Sequence, residues 1–202
     1  DLLQMHTPDD STPIGDTLAA LTELVDEGKV LAIGSSNFDA AQLREADAVG
    51  RENGFARFVS TQNEYSLLER GIEREVLPTA VELGLGVFPY FPLYNGLLTG
   101  KYTRDGGEGR ITRQKPQLLE GVDWDRMDTY QLLCDGAGLP MTVVTFAWLL
   151  SRPGIVSVIA GATTPDQVVA NAAAGSVNVS GELLAQVDRL FASQDAEGGS
   201  SR

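Results

Sequence analysis

The sequence predicts an α/β fold in which short parallel strands alternate with covering helices. Short, continuously apolar runs such as 85–90 and 155–159 have the character of strands buried on both faces. Longer segments carry apolar residues at helical spacing, as Leu18, Leu21, Leu24 and Val25 do. The two kinds of segment alternate five times along 202 residues, the order expected of β/α units around a parallel sheet.

Residues 1–6 (DLLQMH) form the first expected strand. Thr12-Pro13 has the pattern of an N-cap followed by proline at the first helical position, and Gly28 is placed to end the helix that follows. The second strand is expected over 30–33, leading into a loop GSSNF (34–38). Asp39 or Ala40 opens a helix carrying Leu43, Ala46 and Val49. A third strand covers 58–61 and ends in QNEYSLL (62–68). A helix over 72–83 stops at Gly84. The fourth strand is LGVFPY (85–90), and Pro89 argues for a strand end because it cannot donate to a ladder.

Residues 91–121 are expected to be a long loop rich in Gly, Arg and Pro, a kind that is usually functional or mobile. Helices over 123–136 and 141–151, a fifth strand IVSVI (155–159) and helices over 165–174 and 180–192 complete the series. The tail AEGGSSR is expected to be disordered.

At 43% hydrophobic and 21% charged residues, the composition suits one sizeable core. No apolar run reaches about 18 residues, so no membrane span is expected. The balance of 15 Lys+Arg against 28 Asp+Glu gives a net charge of −13. That surface repels phosphate backbones and anionic lipid, which argues against nucleic acid and membranes as partners. A single cysteine, Cys134, allows no internal disulfide and points to a reducing, cytoplasmic setting. A single histidine without CxxC or HExxH patterns argues against a metal site. No GxGxxG or GxxxxGK[ST] follows a strand, and the glycines at 106, 107 and 109 are taken as flexibility. The first residue is Asp1 and no signal peptide is visible.

Polar residues gather where strands end: His6, Ser36 with Asn37, Gln62 with Asn63, Tyr90, and the stretch after Ile159. In a β/α barrel all of these lie on the C-terminal face, where active sites are built. Core packing would place apolar side chains there instead.

The segments DLLQMHTPD (1–9), GKVLAIGSSNF (28–38), VSTQNEYSLLER (59–70), GLGVFPYFPLYNGLLTGKY (84–102) and FAWLLSRPGIVSVIAGATTPDQVVAN (146–171) carry a resemblance. In this order and spacing the chain resembles the aldo-keto reductases, in particular the bacterial type related to voltage-gated potassium channel β subunits. The resemblance implies a partial (β/α)8 TIM barrel, strands 4 to 8 with their helices. It implies an N-terminally incomplete domain over 1–193 and a disordered tail at 194–202. The implied activity is NADP-dependent hydride transfer to or from a small aldehyde, ketone or sugar, with NAD as the alternative cofactor.

Carried over by position, His6 matches the histidine that orients the substrate carbonyl. Ser36, Asn37 and Gln62 match contacts to the nicotinamide carboxamide, a task an amide suits because it offers donor and acceptor together. Tyr90 matches the aromatic residue stacked on the nicotinamide ring. Phe91, Pro92, Leu93 and Lys101 match the loop around the pyrophosphate, with Arg110 a second phosphate contact. Gly161, Thr163, Gln167 and Asn171 match the site for the adenosine 2′-phosphate and adenine, where a loop meets a helix start. Each also has a plainer role: a helix cap for Ser36 and Asn37, a loop cap for Gln62, core for Tyr90, a surface charge for Lys101, one polar helix face for Gln167 and Asn171.

Three departures qualify the resemblance. Phe91 stands where most relatives have a serine able to bond phosphate. Thr163 stands where many have arginine, which weakens the case for NADP over NAD. The motifs that carry the family's catalytic aspartate, tyrosine and lysine have no match, and Tyr65, Tyr94, Tyr102 and Lys29 lie in the wrong segments to replace them. The chain alone is therefore expected to be inactive. The alternative is a catalytically inert module that binds cofactor or pairs with another subunit. Five strands of an unclosed barrel also leave open sheet edges through which copies could associate.

Overall fold

The computed structural model describes residues 1–192 apart from the side chain of Arg110, so the expected tail at 194–202 lies outside the described residues. The chain divides into two units. One comprises Asp1–Tyr65, Glu69–Tyr90 and Ser151–Ile159; the other comprises Ser66–Leu68, Phe91–Leu150 and the chain from Ala160.

The first unit holds β1 (Leu2–Met5), β2 (Ala32–Ser36), β3 (Phe58–Glu64) and β4 (Gly86–Tyr90). They form one parallel sheet in sequence order. The crossovers carry α1 (Ile14–Asp26), α2 (Ala40–Asn53) and α3 (Val76–Leu83). Leu18, Ile33, Leu43, Ala80 and Val87 are buried in this unit, and Phe38 meets Phe58 edge-on at 5.5 Å. Each fully buried aliphatic side chain of this size contributes about 1.5–3 kcal/mol.

The sheet has four strands, not five. Val87 donates its N–H to the Gly154 carbonyl and receives the Val156 N–H, which makes a single bridge between Val87 and Ile155. The next rung would need an N–H from Pro89, which has none. The Ile159 N–H instead reaches the Pro89 carbonyl out of step, and the ladder stops.

The second strand also lies later than expected. The GSS stretch is strand rather than loop, because Gly34 and Ser35 pair with Gln4 and Met5, and Ser36 pairs with Gln62. Leu31, expected within the strand, is 74% exposed. The third strand runs three residues further than predicted, to Glu64.

Thr12 does not cap α1. Its hydroxyl donates to Asp9 Oδ2 at 2.8 Å, and Pro13 occupies the cap position without a side-chain bond. Asp9 also takes the Ser11 N–H and hydroxyl, so the loop acid draws in the groups that could have served the helix. At the other end, Gly28 sits at φ +69°, its N–H on the Val25 carbonyl and the Lys29 N–H on that of Leu24. That is a Schellman closure. Asp39 caps α2 in a reciprocal box with Gln42.

The helix expected over 72–83 is broken into a 3-10 turn, Gly71–Glu73, and α3. The break falls at Glu75 (φ −138°), and Pro78 lies in the first turn of α3, where its missing N–H is tolerated.

The second unit is helical: α4 (Arg110–Gln114), α5 (Trp124–Gly136), α6 (Met141–Leu150), α7 (Pro165–Ala174) and α8 (Gly181–Leu190). The expected loop 91–121 is therefore interrupted by α4 and by 3-10 turns at Tyr94–Thr99 and Pro116–Leu119. Fully buried Tyr130 stands edge-on to Phe191 at 5.3 Å, and its hydroxyl bonds the Met141 carbonyl and Thr145 Oγ1. No single helix among the described residues is long and apolar enough to cross a membrane.

Candidate functional site

The C-terminal ends of four parallel strands bring His6, Ser36, Asn37, Gln62 and Tyr90 into one unit. Asn37 is the centre of the group. The chain must turn from β2 into the Asp39 cap of α2 within two residues, and Asn37 does so at φ +63°. Asparagine tolerates this left-handed conformation better than most residues.

Every polar atom of the Asn37 side chain has a partner. Its Nδ2 donates to the His6 carbonyl at 2.9 Å and to Ser36 Oγ at 3.2 Å. Its Oδ1 accepts from the Tyr90 hydroxyl at 2.8 Å. The Asn37 N–H and the Ser36 hydroxyl both donate to the Gln62 carbonyl, at 3.0 and 2.9 Å. One amide thus ties together the ends of β1, β2 and β4, and β3 holds the turn from below.

Asn63, noted in the sequence without a role, supports that turn. It is 7% exposed, takes the Thr61 hydroxyl on Oδ1 at 2.9 Å and gives Nδ2 to the Phe38 carbonyl at 3.4 Å. Burial, and then the Glu64 and Glu69 carboxylates, push the Tyr90 hydroxyl above its ordinary range, against an opposing N–H from Glu64. Tyr90 is therefore a neutral donor at physiological pH. His6 is exposed, and it is its carbonyl that Asn37 engages. The Gln62 side chain is half-buried beside it.

The remaining candidates lie in the other unit. Phe91 (φ +51°), Tyr94 (φ +45°) and Asn95 (φ +57°) take left-handed conformations without being glycine. Each costs on the order of 1–2 kcal/mol, a strain that marks a shape worth maintaining. Pro92 is buried and Leu93 half-buried. Lys101 is exposed, with Nζ 5.1 Å from the centroid of the Tyr102 ring, and Lys115 Nζ stands 5.8 Å from that of Phe91. Phe91, which cannot bond phosphate, thus sits under a cation. The Arg110 side chain lies outside the described residues.

At the start of α7 the cap is Thr164, whose hydroxyl accepts the Gln167 N–H at 3.3 Å. Gln167 Oε1 in turn accepts the N–H and hydroxyl of its exposed neighbour Thr163, at 2.7 and 3.1 Å. Asn171 follows Gln167 one turn later and is half-buried, while Gly161 is exposed. The Thr163 and Gln167 N–H groups at this helix start thus have side-chain partners within the loop. Among the described residues no three His, Cys, Asp or Glu side chains gather where they could hold a metal ion.

Residues 1–192 match the Aldo/keto reductase family. An NADH-specific methylglyoxal reductase from Escherichia coli (strain K12) is 37% identical over 174 residues, which is 84% of this chain and 51% of the relative. An uncharacterized oxidoreductase, YrpG, from Bacillus subtilis (strain 168) is 36% identical over 191 residues, 95% of this chain and 58% of the relative. A probable voltage-gated potassium channel subunit beta from Oryza sativa subsp. japonica is 31% identical over 179 residues, 85% of this chain and 55% of the relative. The chain spans about half the length of the curated relatives it matches.

Proposed function

This chain belongs to the aldo/keto reductase family, and from that premise we propose that it holds the nicotinamide cofactor and the carbonyl substrate of an oxidoreductase. The reaction class is hydride transfer between NADP(H) and a small aldehyde, ketone or sugar. The observation that carries the reading is the Asn37 amide. Its Oδ1 and Nδ2 are aimed, in a left-handed turn, at one donor and two acceptors from neighbouring strand ends.

A nicotinamide carboxamide is the same functional group. Its carbonyl can take Nδ2 and its NH₂ can give to Oδ1, replacing the present partners like for like, with Ser36 and Gln62 beside it. Once released by Asn37, the Tyr90 ring offers a flat apolar face for the pyridine. His6 orients the substrate carbonyl. Phe91, Pro92, Leu93, Lys101 and Arg110 hold the pyrophosphate, and Gly161, Thr163, Gln167 and Asn171 the adenosine end. The bound nicotinamide supplies the hydride.

Proton transfer is a different matter. By our reading, the motifs of the family's aspartate, tyrosine and lysine find no counterpart in these 202 residues. Tyr90 is a poor substitute, because burial and nearby carboxylates keep its proton in place. A positioned acid is worth about 10²–10⁴-fold. We therefore assign binding and orientation to these residues, and expect no turnover from them alone. A second reading, a cofactor-binding subunit that serves a partner, is favoured by the potassium channel beta subunits among the relatives. NAD(H) as cofactor is favoured by Thr163 and by its engagement with Gln167. Cys134 as the sole cysteine suits a cytoplasmic setting.

Titrating the purified chain with NADPH and with NADH, read by nicotinamide fluorescence, tests this. Binding that Asn37→Ala weakens by about 1–3 kcal/mol supports the reading. Absence of binding by either nucleotide refutes it.

A further inference from the structure

We propose that Glu73, whose carboxylate bonds Tyr65 and Arg70, is a positioning residue for the Tyr90 side chain. Tyr65 follows β3 directly and is fully buried. Its hydroxyl donates to Glu73 Oε1 at 2.6 Å. Arg70 grips the same carboxylate with two parallel bonds, Nε to Oε1 and Nη2 to Oε2, both 2.9 Å. The Arg70 and Glu73 side chains are only 14% and 29% exposed, and the Glu73 N–H closes back on the Arg70 carbonyl at 3.0 Å.

The Tyr65 backbone links this cluster to the site. Its N–H donates to the Tyr90 carbonyl at 3.3 Å, one step beyond the last paired rung, Glu64 with Tyr90. A line of hydrogen bonds therefore runs from Arg70 through Glu73 and Tyr65 to Tyr90, and on through Asn37 to His6.

Apolar side chains of similar volume often replace a part-buried ionic cluster without loss of stability. What they cannot supply is direction. A 2.6 Å hydroxyl-to-carboxylate bond fixes where the Tyr65 ring lies. The ring fixes the Tyr65 N–H, and that N–H fixes the end of β4, from which the Tyr90 ring projects. The functional meaning of this positioning rests on Tyr90 as the ring that meets the nicotinamide; the line of bonds does not.

The test uses the full chain with isotope-labelled tyrosine rings. Five tyrosines give five sets of ring resonances, and Tyr90→Phe assigns the one in question. Glu73→Gln and Tyr65→Phe should each move the Tyr90 resonance while those of Tyr102 and Tyr130 stay in place. The double variant should move it no further than the larger single change. A Tyr90 resonance at its native position in both variants overturns the proposal. Should Glu73→Gln fail to fold, Tyr65→Phe deletes the same bond at nearly constant ring volume and decides alone. NADPH titration of the same proteins separates the two claims. Several-fold weaker binding by the variants extends the proposal to the cofactor. A native chain that binds neither NADPH nor NADH refutes the functional reading, and the Tyr90 resonance still decides the positioning role.

Discussion

Replacing Gly34 by alanine probes how β2 is threaded between β1 and β3. A Cβ at Gly34 would collide with Ser60 Oγ, and would lie 3.1 Å from the Ser60 carbonyl oxygen and 3.5 Å from Gln4 Cδ. The hydroxyl can rotate away, at the expense of its 3.5 Å contact with Gln4 Nε2. The carbonyl is backbone and must shift with its strand. Overpacking of this kind costs about 1–3 kcal/mol, or roughly 2–4 °C in Tm per kcal/mol for a chain of this length. Ser60→Ala removes the colliding oxygen, so Gly34→Ala made in that background should recover more than half of the loss. Urea unfolding followed by far-UV circular dichroism is the suitable assay. Both tryptophans, Trp124 and Trp148, lie in the other unit and do not report on the sheet. The packing argument fails if Gly34→Ala is neutral, or if its cost is the same with and without the Ser60 hydroxyl.

Three further outcomes are expected. Gly28→Ala should destabilise by about 1 kcal/mol in the same assay, and Gly28→Asn by less. Nothing lies within 4 Å of the added Cβ, so the cost is that of φ +69° alone. Burial works to raise the Asp47 carboxyl, but bonds and charges from Arg51 and Arg57 outweigh it and hold the group below the usual range. Its contribution to stability is therefore present above the unfolded value of about 4 and is lost as pH falls through the lower folded value. Asp47→Asn should flatten that acid limb in unfolding curves measured from pH 6 down to 3. Burial pushes the Cys134 thiol up to about 11. A thiol reagent at pH 8 should leave it unmodified in the native chain and react within minutes in urea; rapid native labelling would contradict its burial.

Much of the frame was legible where one residue type has one local use. Asp39 or Ala40 announces a helix start, and Gly28 and Gly84 announce helix ends. The misses share a cause, which is that the deciding partner lies far along the chain. The run 155–159 has the composition of a strand, but whether it pairs depends on a missing N–H at Pro89. Ser35 and Ser36 resemble loop, yet they are strand because Met5, Thr61 and Gln62 pair with them across β1 and β3. Asp9 diverts Thr12 from capping through a loop geometry that periodicity does not encode.

At the site, residue types exposed Asn37 and Tyr90 as strand-end polar groups. That they bond each other across 53 positions was not visible. That Gln167 Oε1 folds back onto the Thr163 N–H and hydroxyl was not visible either, because spacing alone shows Gln167 only as part of a polar helix face. The link between Tyr65 and Glu73 joins a strand end to a 3-10 turn, a pairing with no repeat or spacing to betray it.

Pro89 also bears on how firmly residues 154–159 are held. Beyond the bridge at Val87 and Ile155 the proline has no N–H to give, so the Ile159 N–H on the Pro89 carbonyl is the next bond along that side of β4. A segment tied by separated bonds opens locally at a lower free energy than a strand held by a continuous ladder. The missing hydrogen-bond donor that cuts the sheet short therefore also sets the order in which this side of it comes apart: 154–159 before β4.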